Sequence, residues 1–419
     1  MQKDIKSAEF FIARRITTDK TNGTKLSRLM VRIATGSVAV SLTVMLLAIM
    51  VTAGFQSEIR NKAVGLTGHV VLSNYDGNTS FEAAPIDIRR ADIPAIMRLK
   101  GVRHAQPVAT KGGIIKTNDE IQGAVLKGMD ATCDPQFFSS CLVTGEVPAY
   151  TDTALSNRVL VPLRLARQLR LDTGSRFDMY FVQEPLRVRR FTVGGIYNAQ
   201  LDDMVNALVV CDINHIRTLN GWSREQASAV EVFTNDFAQM NTVAETIDDM
   251  QAFNMDEEGV RLKVQTVTDL YQFLFDWLNL LDMNVWIILV LMLLVGGFNM
   301  ISGLLIMVFE KMSMIGLLKA LGMRNAGVQR VFLYRAAFIT LRGMLWGNLI
   351  AFALVLLQQH FHFIALDPVT YYVDSVPVLL QPVPVLLVNV FGFIGITLLL
   401  ALPVLIISRI SPDRTIKAE

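Results

Sequence analysis

Polar residues vanish from four stretches of the chain. Residues 33–55 and 283–309 carry no charge, and both exceed the roughly 20 residues a helix needs to cross a bilayer. A third stretch, 331–358, is interrupted by Arg335 and Arg342, and a fourth, 384–407, holds Pro403 near its end. The pattern predicts four transmembrane helices. Between the first two the periodicity changes to short alternating runs and amphipathic segments over 56–282. The expected architecture is therefore an α-helical membrane domain with a large α+β extracytoplasmic domain inserted between helices one and two.

Within 56–282, strands are expected at 68–73, to either side of an Asn118–Asp119 turn, at 159–161, and as a pair at 176–182 and 190–197. Helices are expected at 91–100 and 163–170. Residues 229–234, 237–253 and 260–267 read as a β-α-β unit. The pattern divides this region into two α+β lobes, a central one over 131–227 and one built from both flanks.

Charge supplies the orientation. Lys and Arg crowd the 1–32 segment, the 310–330 loop and the 408–419 tail, whereas the 359–383 loop has neither. By the positive-inside rule both termini face the cytoplasm, and 56–282 lies outside it. The first apolar stretch is too long for a cleaved signal and reads as a signal anchor. Composition agrees: 52% hydrophobic and only 18% charged residues fit a membrane protein with a large soluble part. A net charge of +2 excludes a global polycation for nucleic acid.

Catalytic motifs are missing from the sequence. No phosphate-cradling Gly-x-x-x-x-Gly-Lys-Ser/Thr, His-Glu-x-x-His, Cys-x-x-Cys or Gly-x-Ser-x-Gly occurs. His360 and His362 are spaced to face different sides of a helix, as an interfacial pair. Three cysteines cannot build a disulfide scaffold; Cys133 and Cys141 either bridge a short loop or remain free thiols. Arg335 is expected to snorkel to headgroups, and the deeper Arg342 to find a carbonyl or carboxylate partner.

The 310–322 segment is the most informative. Met314, Ile315, Leu317, Leu318 and Leu321 recur at helical spacing, Lys311 and Lys319 edge them, and Gly322 suits a C-terminal stop. Such a helix can lie on a membrane or dock into a groove of another protein. Glu310 followed by Ile315-Gly-Leu-Leu-Lys-Ala-Leu-Gly322 resembles the coupling helix of FtsX-like (MacB-type) ABC-transporter permeases. Gly54, Phe55 and Glu58 leading to Gly68-His-Val70, the run Tyr371 to Leu379, and Ile410-Ser-Pro412 resemble the lipoprotein-releasing (LolC/LolE-type) permeases.

That resemblance implies a non-catalytic membrane subunit of the bacterial inner membrane. ATP and Mg would sit on a separate cytoplasmic ATPase, a LolD-like dimer, with no cofactor on this chain. The ATPase would engage Glu310, Lys311, Met314, Ile315, Leu318, Lys319, Leu321 and Gly322, and its closure would move the outer domain by mechanotransmission. A second permease chain, identical or homologous, would complete the assembly. Lipoprotein acyl chains would enter beside Met50, Val51, Phe55, Leu280 and Val285, placed by their depth in the helices. A periplasmic LolA-like carrier would meet a hook preceding Phe191-Thr-Val-Gly-Gly195, with Pro185 at a hairpin and Arg187, Arg189 and Arg190 facing acidic groups; the other reading is a solvated basic hairpin. Rival functions are a MacB-like efflux permease and an FtsX-like regulator of a cell-wall hydrolase. A membrane-anchored enzyme is the third alternative, weakened by the missing catalytic constellation.

Overall fold

The computed structural model describes residues 25–75, 84–117, 120–151, 154–201, 207–252 and 261–407. The chain forms two units. One comprises residues 1–57, 277–366 and 375–419, the other 58–276 with 367–374. The expected Asn118–Asp119 turn and the Ile410-Ser-Pro412 motif lie outside the described residues.

Among the described residues, four helices are long and apolar enough to cross a membrane. They run Lys25–Thr67, Gln272–Glu310, Asn325–Phe361 and Pro382–Ile407. Each extends beyond the apolar stretch that announced it, because backbone hydrogen bonding continues into polar sequence where hydropathy stops reporting it. Pro382 and Pro384 sit in the first turn of the fourth helix, where a missing N–H costs nothing.

In the first unit, glycines let these helices approach closely. A Cβ at Gly343 would lie 2.8 Å from the Val38 Cβ, and one at Gly347 would lie 2.8 Å from the Ala39 carbonyl oxygen. The first helix thus packs directly on the third. Gly296 and Gly303 face Ser41 and Ala34, which brings the second helix against the first. Leu46, Met300, Phe332, Ile339, Val355 and Leu400 belong to the resulting core. Asn348 and Asn389 exchange side-chain amide hydrogen bonds of 2.7 and 3.1 Å between the third and fourth helices.

The two arginines of the third helix reverse expectation. Arg335 does not snorkel: it is 6% exposed, and the Glu310 carboxylate acts on it electrostatically. Arg342, expected to be the partnered one, lies on the exposed face. Depth along a helix says nothing about azimuth, and azimuth decided which arginine turned inward.

The second unit is built on strands β1 (Val70–Ser73), β2 (Ile86–Asp87), β3 (Val102–Lys116), β4 (Ile121–Met129), β5 (Leu142–Gly145), β6 (Arg158–Pro162), β7 (Arg176–Phe181), β8 (Arg187–Tyr197), β9 (Leu208–Asp212), β10 (Gln226–Ala227), β11 (Ala229–Thr234) and β12 (Lys263–Thr266). Among the described residues, ten of these form one mixed sheet in the order β12-β1-β11-β3-β4-β9-β6-β8-β5, with β7 pairing β3 and β8. The strands assigned to a central lobe (131–227) and to its flanks therefore join one sheet. The parallel β4–β9 ladder and the antiparallel β3–β7 pairing make that join, and no local sequence signal reports such pairings.

β11 and β12 both pair antiparallel with β1, so they run parallel to each other with β1 between them. The helix Met240–Ala252 connects them, which turns the expected β-α-β unit into a split one. The helix expected at 91–100 is two single turns, Ile88–Ala91 and Ile93–Ile96. Asp92 separates them: it adopts φ 47° and its carboxylate accepts from the Ala95 N–H, so it ends one turn and caps the next.

One buried network ties this unit together. Lys127 on β4 donates to the Glu231 carboxylate on β11 at 2.6 Å and to the Leu66 carbonyl. Gln106, opposite Glu231 in the β3–β11 register, donates to the other carboxylate oxygen at 3.1 Å. The Asp134 N–H donates to the side-chain Oε1 of Gln106. Leu66 lies in the last turn of the first long helix, so the ammonium meets the negative end of the helix dipole.

Candidate functional site

The segment after the second long helix folds as the helix Met312–Ala320. Glu310 ends the preceding helix, and Lys311 marks the change of direction. The backbone ladder continues across it, with the Lys311 N–H shared between the Met307 and Val308 carbonyls and the Ile315 N–H donating to Lys311. Gly322 stops the short helix at φ +90°. The Met323 N–H reaches back to Leu318 and the Gly322 N–H to Lys319, the paired bonds that close a helix on a left-handed glycine.

This helix has two distinct faces. Ile315 is fully buried, Gly316 is buried, and Met314 packs against the helical core. Ile315 is covered within this chain, contrary to the reading that put it on a docking surface, whereas Met314 is half-buried. Leu318, Lys311 and Lys319 are half-buried. Leu317 and Leu321, one turn apart, are 62% and 76% exposed, which leaves an apolar edge available to a partner. Leu317 was left out of the expected contact set. Its i, i+4 relation to Leu321 is the sequence signal that would have included it.

The residues expected to line an acyl-chain entry separate. Met50 is 1% exposed and belongs to the core, because the glycine contacts of the first helix draw this face inward. Val51, Phe55 and Val285 are half-buried, and Leu280 is 53% exposed. Gln56 donates to the Leu278 carbonyl at 3.4 Å, so the segments carrying Phe55 and Leu280 are neighbours.

The hook residues sit on the β7–β8 hairpin, whose connection runs from Val182 to Leu186 through Pro185. Arg190 grips Asp178 with two hydrogen bonds of 2.7 and 2.9 Å, and this holds the Asp178 carboxyl below its usual range. Arg187 donates to the Thr218 carbonyl at 3.0 Å, and Arg189 is half-buried. The arginines thus brace the hairpin as well as charging it. Apolar side chains are open there too: Val182, Leu186 and Val188 are exposed at the tip and along its edge, beside the exposed Arg190.

Cys133 and Cys141 are both free thiols, and burial pushes each thiol pKa up. His362 closes the third long helix at φ 47°, and His360 packs edge-on against Phe361 at 4.8 Å. Among the described residues no cluster of three or more His, Cys, Asp or Glu has a metal-binding arrangement.

Comparison with known proteins bears on the helical part first. Residues 286–412 match the family "FtsX-like permease C-terminal". Over 410 residues the chain is 23% identical to the lipoprotein-releasing system transmembrane protein LolC of Xylella fastidiosa, covering 91% of this chain and 92% of that one. LolC of Neisseria meningitidis serogroup B is 23% identical over 393 residues, covering 87% and 88%. Among solved structures, the extracellular domain of the transporter YknZ from Gram-positive bacteria aligns with 47% of this chain and 97% of its own length, at 13% identity and a TM-score of 0.32. The periplasmic region of MacB from Actinobacillus actinomycetemcomitans aligns with 49% and 91%, at 12% identity and a TM-score of 0.33. The short helix with its exposed leucine edge and the 371–379 run both fall inside the matched segment. Residues 286–412 are thus similar to the C-terminal part of FtsX-like permeases, and along nearly its whole length the chain is similar to the lipoprotein-releasing permeases.

Proposed function

We propose that this chain is the membrane subunit of an ABC transporter that extracts lipoproteins from the inner membrane and passes them to a periplasmic carrier. Similarity to lipoprotein-releasing relatives over 91% of the chain is the observation that carries this reading. The exposed Leu317–Leu321 edge supports it, because a separate ATPase needs an apolar handle to push. In this reading a LolD-like ATPase dimer binds ATP and Mg and docks on 310–322. Both termini are cytoplasmic, and the sheet-bearing region, inserted between the first and second spans, is periplasmic. A second permease chain completes the transporter, and a LolA-like carrier meets the 182–190 hairpin, using its apolar tip together with its arginines.

The proposal is tested in the purified complex with its ATPase. Leu317→Glu and Leu321→Glu are each expected to lower coupled ATPase activity about tenfold or more while insertion and folding stay intact, since neither side chain is in the core. Unchanged coupling in both variants would remove the assignment of this helix. Photo-crosslinking in cells from Val51 and Val285 tests the substrate. Acylated lipoproteins in the adduct support extraction, whereas a drug or a wall hydrolase would replace it with one of the rival functions.

A further inference from the structure

The sheet-bearing unit contains a cavity of about 760 Å³ that the transport reading does not use. Its walls come from residues 63–67 at the end of the first long helix, from β3 and β4, from Leu201 and Leu208, from 269–274, and from Tyr372. The size lies within the range of about 300–1,000 Å³ typical of small-molecule sites. The space is a cleft partly open to solvent, with exposed Phe273 among its lining residues.

The lining specifies the occupant. Ala63, Leu66, Val125, Leu201, Leu208 and Leu274 supply hydrocarbon. The wall's one buried ion pair, Lys127–Glu231, is neutral as a pair, and its hydrogen bonds already run to Leu66 and Gln106. Asp269 is taken by Thr266, whose N–H and hydroxyl both donate to it. The cavity therefore offers hydrocarbon contact, with the exposed Asp269 carboxylate the one lining charge outside the ion pair. Phe273, 88% exposed, stands at its rim.

Tyr372 and Gln200 adopt φ values of 61° and 50°, in the left-handed region. Lys62 donates to the Tyr372 carbonyl and to the Gln200 side-chain oxygen, both at 2.8 Å, and Gln200 in turn donates to Asp374. Lys62 thus ties the Tyr372 wall to Gln200.

We propose that this cavity receives a single acyl chain of a membrane amphiphile. Chain continuity favours that source. Ala63 follows the uncharged run 33–55 by eight residues of sequence, and Leu274 precedes the run 283–309 by nine. The inference rests on the chain being membrane-embedded and not on ATPase coupling, so loss of coupling in Leu321→Glu leaves it standing.

The full chain in nanodiscs of palmitoyl-oleoyl phosphatidylethanolamine and phosphatidylglycerol provides the test. One arm carries a phospholipid with a diazirine at the end of one acyl chain, the other a triacylated cysteinyl peptide labelled in the same way. Photolysis and peptide mapping should place label on Val125, Leu201 and Leu208 as well as on the apolar helices, and the productive arm identifies the source of the chain. Leu208→Trp, which fills the cavity from a half-buried position, should lower labelling of Val125 and Leu201 about tenfold. Ala63→Leu serves the same purpose should the larger residue lower the thermal midpoint. Label confined to the apolar helices and 269–274 in both arms, or cavity labelling indifferent to filling, overturns the proposal.

Discussion

The two units are consolidated by opposite means. The helical unit brings backbones together over glycines and small residues, so its stability resides in dispersion contacts that a single methyl group can disturb. The sheet-bearing unit encloses a lysine, a glutamate and a glutamine at its centre and satisfies them against one another. Lys127 and Glu231 are 3% and 4% exposed, while Gly343 and Gly347 meet backbone and Cβ atoms of the first helix. Inside a bilayer, helix association gains little from the hydrophobic effect, and close approach has to serve instead. In a water-soluble sheet the hydrophobic effect already drives collapse, and a buried ion pair contributes uniqueness of arrangement more than net stability.

Breaking each unit at its own device sharpens the contrast. Lys127→Met should be the most damaging change, because it leaves the Glu231 carboxylate buried without its counter-ion. A cost of about 3–5 kcal/mol is expected in chemical denaturation. The double change Lys127→Met with Glu231→Leu should recover most of that loss; failure to recover would mean that the pair itself stabilises the sheet.

Gly343→Ala should cost about 1–3 kcal/mol by forcing the first and third helices apart, read as a lower thermal midpoint in detergent micelles. The same substitution at Gly174, which faces open space but sits at φ +88°, would act through backbone strain and leave helix contacts untouched. The two positions therefore separate crowding from conformation.

Acid should distinguish the units more gently. The Thr234 N–H donates to His69 Nδ1 at 3.1 Å, which requires a neutral ring. Burial, reinforced by Arg103, holds the His69 pKa near 4 against an ordinary 6.5. The unfolded chain therefore takes up this proton first as pH falls, so the stability is complete above pH 6.5 and declines between 6.5 and about 4. After allowance for partial exposure to solvent, the loss should be about 1–2 kcal/mol. His69→Gln should flatten the pH dependence of unfolding over this window, and an unchanged slope would assign it to other groups.

The sequence reading succeeded where a property is local. The four apolar stretches each lie within a long helix, the strand pair at 176–182 and 190–197 is the β7–β8 hairpin, and Gly322 ends its helix with positive φ. It failed where a residue's role depends on distant partners. Met50, expected at an acyl-chain entry from its depth, lies in the core because depth does not report which way a side chain faces. Arg335 turns inward and Arg342 outward for the same reason. Lys127 was not singled out, although a lone cation inside the run Ala124-Val-Leu-Lys-Gly-Met129 was a visible anomaly.

The sequence by itself determined the spans, the polarity of the chain's charge, the position of the short helix after the second span, and the family it resembles. All of these follow from composition and order over a few turns of backbone. Tertiary structure alone decided that Lys127 meets Glu231 across 104 positions, that Leu317 and Leu321 face outward while Ile315 faces in, and that a cavity remains beside Tyr372. Burial and pairing are set by which surfaces meet. A pattern of hydrophobic and polar positions fixes which faces seek cover without naming what will cover them.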